Sequence, residues 1–498
     1  MRCRGYGVGV LARQGHRLVA LLVLLAGAVV LGVPAAGAHE STPTGVTRLE
    51  LDLGSRALAL TIIAPPEGAG RLPVVVLPRA DAPPGEVTLA AVRPGAAAVD
   101  AVAVPAAPVG QPHEAALAVD GPGAWEVLVD DGSTLARVPI TVAAPAGTPG
   151  WVWAVRVGAL VGVAALIAAV SPGVRRRPRL AIGLGAVALV GVTVAVTAVA
   201  TAPSTAITAA PTAAAVPPIG GPSGHAGHAG AAPAAAPAAT PAAVPTTTGS
   251  VVLTATTAST PAAGTPVDLQ LDLTDSAGGA VVDDLAVHDD ALVHLAVIGP
   301  DRRLDHVHPV RVAPGRYVVR LTPGAAGRYG VFAEMERAGD GGHQVARTAI
   351  DVGGPAPAAA APSPGPGARQ VEGMQVDVTV SDAVAGRPTR VVARFAENGR
   401  QVTDLQGWLG MAAHLMLLGP GVAGAPDPGD PASAFGHVHD MGPATTAGPA
   451  GTYGPEVAFD HTFPRPGRHQ LWVQVQRDWR IVTVPVTVDV APGTTPSP

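Results

Sequence analysis

Lysine is absent from this sequence, and cysteine occurs only once. All 32 basic residues are arginine. The absence of lysine excludes a P-loop lysine, a Schiff-base nucleophile and a kinase-type phosphate clamp. Cys3 lies in an amino-terminal segment that we expect to be removed, which leaves no thiol for a disulfide, a thiolate metal site or a nucleophile. Any metal site must therefore use histidine, methionine or carboxylate side chains.

Aromatic residues and net charge are also scarce. Aromatics make up 3% of the 498 residues, and the formal net charge is −5. The sequence contains no basic patch interleaved with aromatics, so we expect no nucleic-acid partner. The length exceeds what one hydrophobic core can hold and predicts several domains.

The amino-terminal part predicts an exported β-sandwich. Residues 1–38 combine early arginines, an apolar run and a small-residue cleavage site, which predicts a signal peptide and a mature start at His39. Residues 39–146 contain alternating apolar strands separated by Gly- and Pro-rich turns, a pattern typical of an Ig-like sandwich.

Two apolar segments predict a membrane anchor. Segments 151–170 and 180–200 are each long enough to cross a bilayer, and the loop between them, 171–179, carries four arginines. Because positive loops stay in the cytoplasm, this topology predicts a cell-membrane protein whose other domains lie on the extracytoplasmic side.

A histidine spacing occurs twice in the carboxy-terminal half, within repeat A (250–353) and repeat B (370–491). An Ala/Pro/His-containing linker, 203–249, precedes repeat A, and a Pro/Ala linker, 354–369, joins the two repeats. In each repeat a lone histidine is followed by Gly-Pro and then by His-x-His. The resulting trios are His294, His306 and His308 in repeat A and His414, His437 and His439 in repeat B.

Strand geometry predicts that the three histidines of a repeat share one face. If Ile298 faces Leu304 in a hairpin, then Ala296 faces His306 and His294 faces His308. Side chains alternate with period two, and cross-strand neighbours lie about 5 Å apart at Cβ. Three imidazoles can then converge on one ion at roughly 2.0–2.1 Å per bond. Two alternatives remain, a solvent-exposed strand face and packed imidazoles bonded to backbone.

Methionines near the trios favour copper as the metal, with zinc as the second possibility. Met416 has the parity of His414, and Met441 has that of His437 and His439. Thioether is a soft ligand that selects Cu(I). Candidates for a fourth ligand in repeat A are His288, Glu334 and Met335, with His343 a weaker one.

His39 offers a further site of a different kind. At a mature amino terminus its α-amine and ring nitrogen would chelate one ion, and His113 could add a third nitrogen. Square-planar nitrogen sites of this type suit Cu(II).

The histidine motifs resemble the Ig-like modules of bacterial envelope proteins in the YtkA-like and FixH-like group. The resemblance rests on His-Leu, Gly-Pro, His-x-His and a later Gly-Arg before an apolar strand, and on residues 122–127 of the first domain. Repeat A keeps Pro309 after His-x-His, whereas Asp440 takes that place in repeat B. The resemblance implies β-sandwiches that handle copper or another metal at the membrane.

These observations predict three Ig-like or cupredoxin-like β-sandwiches and a two-helix transmembrane hairpin. The function that we expect is metal binding, with copper held or passed to a metal-handling partner protein and no enzymatic activity. A structural or interaction ectodomain without metal is the first alternative. The second is a zinc-dependent enzyme, since three histidines with an open position is a catalytic arrangement. The sequence has neither a His-Glu-x-x-His nor a Gly-x-Ser-x-Gly motif, which disfavours it.

Overall fold

The structure is a computed structural model, and it describes residues 45–79, 84–145, 150–200, 249–338, 342–355, 362–440, 442 and 451–493. The predicted signal peptide, His39, Met441 and the linker from residue 203 to residue 248 lie outside these residues. The chain divides into two units, one that contains the helices and one that contains three β-sandwiches.

The helical unit occupies the two predicted apolar segments. Its helices are α1 Gly150–Val170, α2 Pro172–Arg175 and α3 Pro178–Ala200. Helices α1 and α3 pack against each other. None of the helices in the described part of the chain combines the length and apolarity needed to cross a membrane, so the predicted transmembrane hairpin is unsupported.

The first sandwich consists of two antiparallel sheets, each of four described strands. One sheet has the order β1-β2-β3-β6, formed by Val46–Leu53, Arg56–Ile63, Gly70–Arg79 and His113–Val119. The other has the order β5-β4-β7-β8, formed by Val102–Pro105, Glu86–Val92, Gly123–Asp130 and Leu135–Val142. Leucine and valine at alternate positions of these strands form the core between the sheets.

Repeat A is a second sandwich. Its first sheet, β14-β15-β10-β9, contains Val310–Ala313, Arg316–Leu321, Val267–Asp275 and Val251–Thr257. Its second sheet, β11-β16-β12-β13 with β17 paired to β16, contains Leu285–Ala286, Gly327–Arg337, His294–Ile298, Leu304–Val307 and Gly342–Val352. Strand β10 shows the period-two rule, because Leu269, Leu271 and Leu273 are buried while the residues between them face outward.

Repeat B has the same two-sheet architecture. Its first sheet, β18-β19-β20-β21 with β26 paired to β20, contains Gly367–Val371, Met374–Val380, Pro388–Glu397, Arg400–Gln401 and Glu456–Thr462. Its second sheet, β24-β23-β27-β22-β25 with β28 paired to β27, contains Phe435–Asp440, Ala413–Leu418, Gly467–Arg477, Leu405–Gln406, Thr452–Tyr453 and Arg480–Val490. The prediction of a mainly β protein built from sandwich-like sheets is confirmed.

A local turn shows how the sequence specifies this fold. Glu397 pairs with Arg400, and the two residues between them, Asn398 and Gly399, have φ angles of 50° and 76°. Positive φ at both central positions defines a type I′ hairpin turn, which asparagine and glycine tolerate best.

A buried arginine joins the first sandwich to repeat A. The Arg311 guanidinium donates to Glu126 Oε1 at 2.9 Å and to both carboxylate oxygens of Asp283 at 2.7 Å. Beside it, strand β1 continues onto repeat A, since the Asp52 N–H donates to the His308 carbonyl at 2.9 Å. The first sandwich therefore borders the segment that carries the histidines.

We expect Arg311→Leu to destabilise the protein by about 2 kcal/mol, because it takes one of two arginine partners from the buried Glu126, which keeps Arg137, and the arginine partner from the partly exposed Asp283. Urea denaturation of the full-length chain measures the change in the free energy of unfolding. The matched control is Arg316→Ala, which removes an exposed ion pair with Asp272 at 2.8 Å and should cost less than about 1 kcal/mol. Equal effects of the two changes would contradict this account of the junction.

Candidate metal centre

The predicted registers bring each histidine trio together. In repeat A, Ala296 pairs with His306 and Ile298 with Leu304, as the sequence predicts. In repeat B, His414 pairs directly with His439. One ring nitrogen from each histidine of a trio lies within 4.8 Å of the corresponding nitrogens of the other two, and this holds for both trios.

The leading histidine of each trio is oriented by the same backbone contact. His294 Nε2 lies 3.0 Å from the His288 carbonyl oxygen, and His414 Nε2 lies 3.1 Å from that of Trp408. A carbonyl only accepts, so each Nε2 carries the proton and donates it. The lone pair is then on Nδ1, which faces the trio. A ligand histidine is commonly oriented by such a bond on its other nitrogen.

The three inward nitrogens of repeat A have no hydrogen-bond partner among the described residues. His306 Nδ1 donates to Gln474 Oε1 at 3.1 Å, and His308 Nδ1 lies 3.6 Å from Asp52 Oδ2. The nitrogens left over are His294 Nδ1, His306 Nε2 and His308 Nε2, all buried. Buried polar atoms without partners cost free energy. Three of them aimed at one region match the donor set that imidazole-ligated metals use.

The inward nitrogens of repeat B lie close to one another. His437 Nε2 is 3.0 Å from His414 Nδ1 and 3.1 Å from His439 Nε2. His437 Nδ1 donates to Glu334 Oε2 at 2.6 Å, which turns its Nε2 toward the other two rings of the trio. Tetrahedral bonds of the zinc–histidine length separate neighbouring nitrogens by about 3.3 Å. The spacing in repeat B is therefore close to that of a first coordination shell.

The two trios meet at the contact between the repeats. The ring centroid of His306 lies 5.2 Å from that of His437 and 5.5 Å from that of His414, and His294 lies 5.7 Å from His437. Centroid distances within the repeat A trio are similar, from 5.1 to 5.9 Å. The trios thus form one group of rings, which we call the six-histidine cluster.

Apolar side chains on the same strand faces hold the repeats together. Strands β12 and β23 are buried on both faces. Their inner faces join the cores of their own repeats, and the faces that carry the leading histidines pack against each other. The contact is formed by Ala296, Ile298, Leu304, Phe332, Met416, Leu418 and Trp472.

The longer connecting loop of repeat B adds polar contacts to this interface. Arg347 of strand β17 donates to the carbonyl oxygens of Asp430, Pro431 and Ser433 at 2.8–2.9 Å. The extra residues that distinguish repeat B from repeat A therefore lie against repeat A and fix its position.

Burial favours the neutral, metal-binding form of five of the six cluster histidines, His294, His306, His308, His414 and His439. It lowers the pKa of His294 to about 4, helped by the like charge of His437, and in the same way lowers that of His439 to about 3. The pKa values of His306, His308 and His414 are also well below the usual range, mainly through burial. A neutral imidazole at pH 7 needs no proton release before it coordinates an ion.

Glu334 is a buried carboxylate beside the cluster. Burial alone would raise its pKa, but hydrogen bonds from His343 and His437 outweigh burial and hold the pKa well below its usual range. The same contact, His343 Nε2 to Glu334 Oε1 at 2.5 Å, raises the pKa of His343. Glu334 is therefore ionised and supports His437 from the opposite repeat.

The remaining predicted site residues are distributed as follows. Met416 lies on the predicted face, 1% exposed, within the apolar contact. Met335 follows Glu334 in strand β16, so its side chain lies on the opposite face and is buried in the core of repeat A. The ring of His288 contacts Asp289 and Glu336, and its carbonyl oxygen accepts from His294 Nε2. His113 contacts the Ala107 carbonyl in the first sandwich.

Sequence reasoning missed the residues that reach from one repeat to the other. Glu334 pairs with His294 and contacts His437, while Gln474 pairs with His414 and contacts His306. Glu334 and Gln474 occupy the same sequence position relative to the repeated Gly-Arg pair, and this spacing could have identified them. Asp52, in another domain, leaves no such signal.

A family model matches repeat B. Residues 369–492 match the family described as domain of unknown function DUF8832. No curated protein matches the sequence.

Similar solved structures include two of Escherichia coli alpha-2-macroglobulin. The trypsin-activated form is 9% identical with a TM-score of 0.15, over 91% of this chain and 24% of that one. The native form is 11% identical with a TM-score of 0.16, over 91% and 22%. A DUF4785 family protein from Legionella pneumophila is 10% identical with a TM-score of 0.16, over 48% and 56%. The chain thus spans less than a quarter of the macroglobulin, and likenesses this weak carry no argument about function.

Proposed function

We propose that this chain is an extracytoplasmic metal-binding protein that holds copper, with zinc as the alternative, in the six-histidine cluster. The observation that carries the proposal is the set of three buried, partnerless nitrogens of His294, His306 and His308. The likeness of the motifs to YtkA-like and FixH-like modules supports it, and the proposed location rests on the signal-like segment 1–38.

The donor set favours copper over zinc. Each trio offers three imidazole nitrogens, and nitrogen sites bind Cu(II) more tightly than Zn(II). Both ions accept three histidines, so the geometry of the trios suits either. We propose storage or delivery to a partner protein, because the described residues place no catalytic motif beside the cluster.

The test is metal retention by the purified full-length chain. After loading with Cu(I), Cu(II) or Zn(II) and dialysis, we expect copper to remain bound at micromolar protein concentration and to outcompete zinc. Elemental analysis gives the number of ions per chain. If neither metal is retained, the cluster is a packed structural element, and the chain is better described as an interaction ectodomain.

A further inference from the structure

We infer that the two trios form a single dinuclear centre with two unequal ion positions, of which the repeat B position fills first. The inference rests on the proposed metal binding and adds the number, proximity and order of the ions.

Proximity is the first argument. Rings from different repeats lie as close as rings within a trio, 5.2 Å between His306 and His437 against 5.1 Å between His306 and His308. Ions held by the two trios would therefore be close enough for their charges and spins to interact.

Shared support is the second argument. His306 of repeat A donates to Gln474 of repeat B, and His437 of repeat B donates to Glu334 of repeat A. Gln474 is itself oriented, because its amide nitrogen donates to Thr483 Oγ1 at 2.9 Å. Each repeat thus supplies the group that orients a ligand of the other, so neither trio is complete without the partner repeat.

Unequal charge is the third argument. The matched positions differ, since Glu334 of repeat A corresponds to Gln474, and Asp289 corresponds to Leu409. Both carboxylates of repeat A face the trio of repeat B, Glu334 at 2.6 Å from His437 and Asp289 at 3.4 Å from His439.

The trio of repeat A has weaker electrostatic support. His306 donates to the neutral side-chain amide of Gln474. The carboxylate of Asp52 lies 3.6 Å from His308, farther than the carboxylates that support repeat B. A carboxylate on the distal nitrogen makes an imidazole a better donor and offsets the charge of a cation. The first ion should therefore occupy repeat B, and its charge should weaken binding of the second.

Stoichiometry and electron paramagnetic resonance of the full-length protein test the inference. With Cu(II) alone as the probe, we expect one equivalent to give the spectrum of an isolated ion. The second equivalent should add dipolar broadening and a half-field signal. Calorimetry with Zn(II) should resolve two binding steps. The first ion should bind at least about tenfold more tightly than the second, since tenfold is the lower end of what a supporting carboxylate contributes to affinity.

Exchanging the supporting groups tests the order of filling. Glu334→Gln should weaken the first step by roughly 10–100-fold and bring the two steps together, while Gln474→Glu should tighten the second. The matched control is Glu336→Gln, which alters a carboxylate that contacts His288 outside the trios and should leave both steps unchanged.

The outcomes separate the inference from the proposed function. Loss of all metal binding in the wild-type chain would overturn both. One ion per chain, or two ions of equal affinity without spin coupling, would overturn the dinuclear centre and leave metal binding intact. Because the wild-type spectra decide the coupling, the test stands even if a variant fails to fold.

Discussion

Replacing both leading histidines, His294→Ala together with His414→Ala, is expected to abolish retention of copper and zinc. Each change removes one of three imidazoles, the one whose Nε2 is oriented by a backbone carbonyl oxygen. The loss of affinity should exceed the roughly 10–100-fold cost of removing a supporting partner. The readout is the metal-dependent rise in melting temperature. At a free-metal concentration 100 times Kd, the wild-type chain gains about 2.7 kcal/mol, and the double variant should gain nothing.

His469→Ala is the matched control for this experiment. His469 is 0% exposed, lies in the same sheet as His414 and has an Nε2 without a partner among the described residues. Its Nδ1 contacts the Gly467 carbonyl and its ring packs on Phe463, away from both trios. The control should lose stability as any buried histidine would, yet keep its metal. Retention by the double variant, or equal loss in the control, would refute the assignment of the ligands.

The trios were predictable because their geometry is local. The hairpin register depends on period-two alternation and on a short turn, so the pairing of Ala296 with His306 follows from the sequence. Duplication of the spacing made the second trio predictable in the same way. The mainly β architecture follows for the same reason, since alternation and Gly/Pro turns act over ten residues or fewer.

The meeting of the trios was not predicted because it depends on how two folded repeats pack. A single sandwich leaves one face of β12 and β23 to solvent, and the sequence analysis treated these faces as separate sites. The apolar run Leu415, Met416, Leu417 and Leu418 is a signal of burial on both faces, since a half-buried strand would alternate. Met416, interpreted as a soft ligand, is part of that contact.

Protonation of the buried cluster histidines is expected to destabilise the metal-free protein as the pH falls from 6.5 to about 4. Burial lowers the pKa of His294 from 6.5 to about 4, so within this interval the unfolded chain binds a proton that the folded chain does not. Stability then rises with pH and falls as the pH is lowered. For His294 alone the loss amounts to about 3 kcal/mol, at 1.36 kcal/mol per pKa unit. The other buried cluster histidines act in the same direction.

His288 and His343 have raised pKa values and oppose this trend only above pH 6.5, since below it they are protonated in both states. Burial raises the pKa of Glu50 to about 7 and that of Asp52 to about 6, so these two carboxyl groups oppose the trend below pH 7 and reduce the net loss of stability. Urea denaturation in the presence of a chelator at pH 7.5, 6.0 and 5.0 measures the effect, and His294→Ala should flatten the profile. Bound metal should protect the fold until protons displace it, so the loaded chain should release its ions over the same acidic range. If His294→Ala and the wild-type chain change in stability by the same amount between pH 7.5 and pH 5.0, burial does not hold His294 neutral.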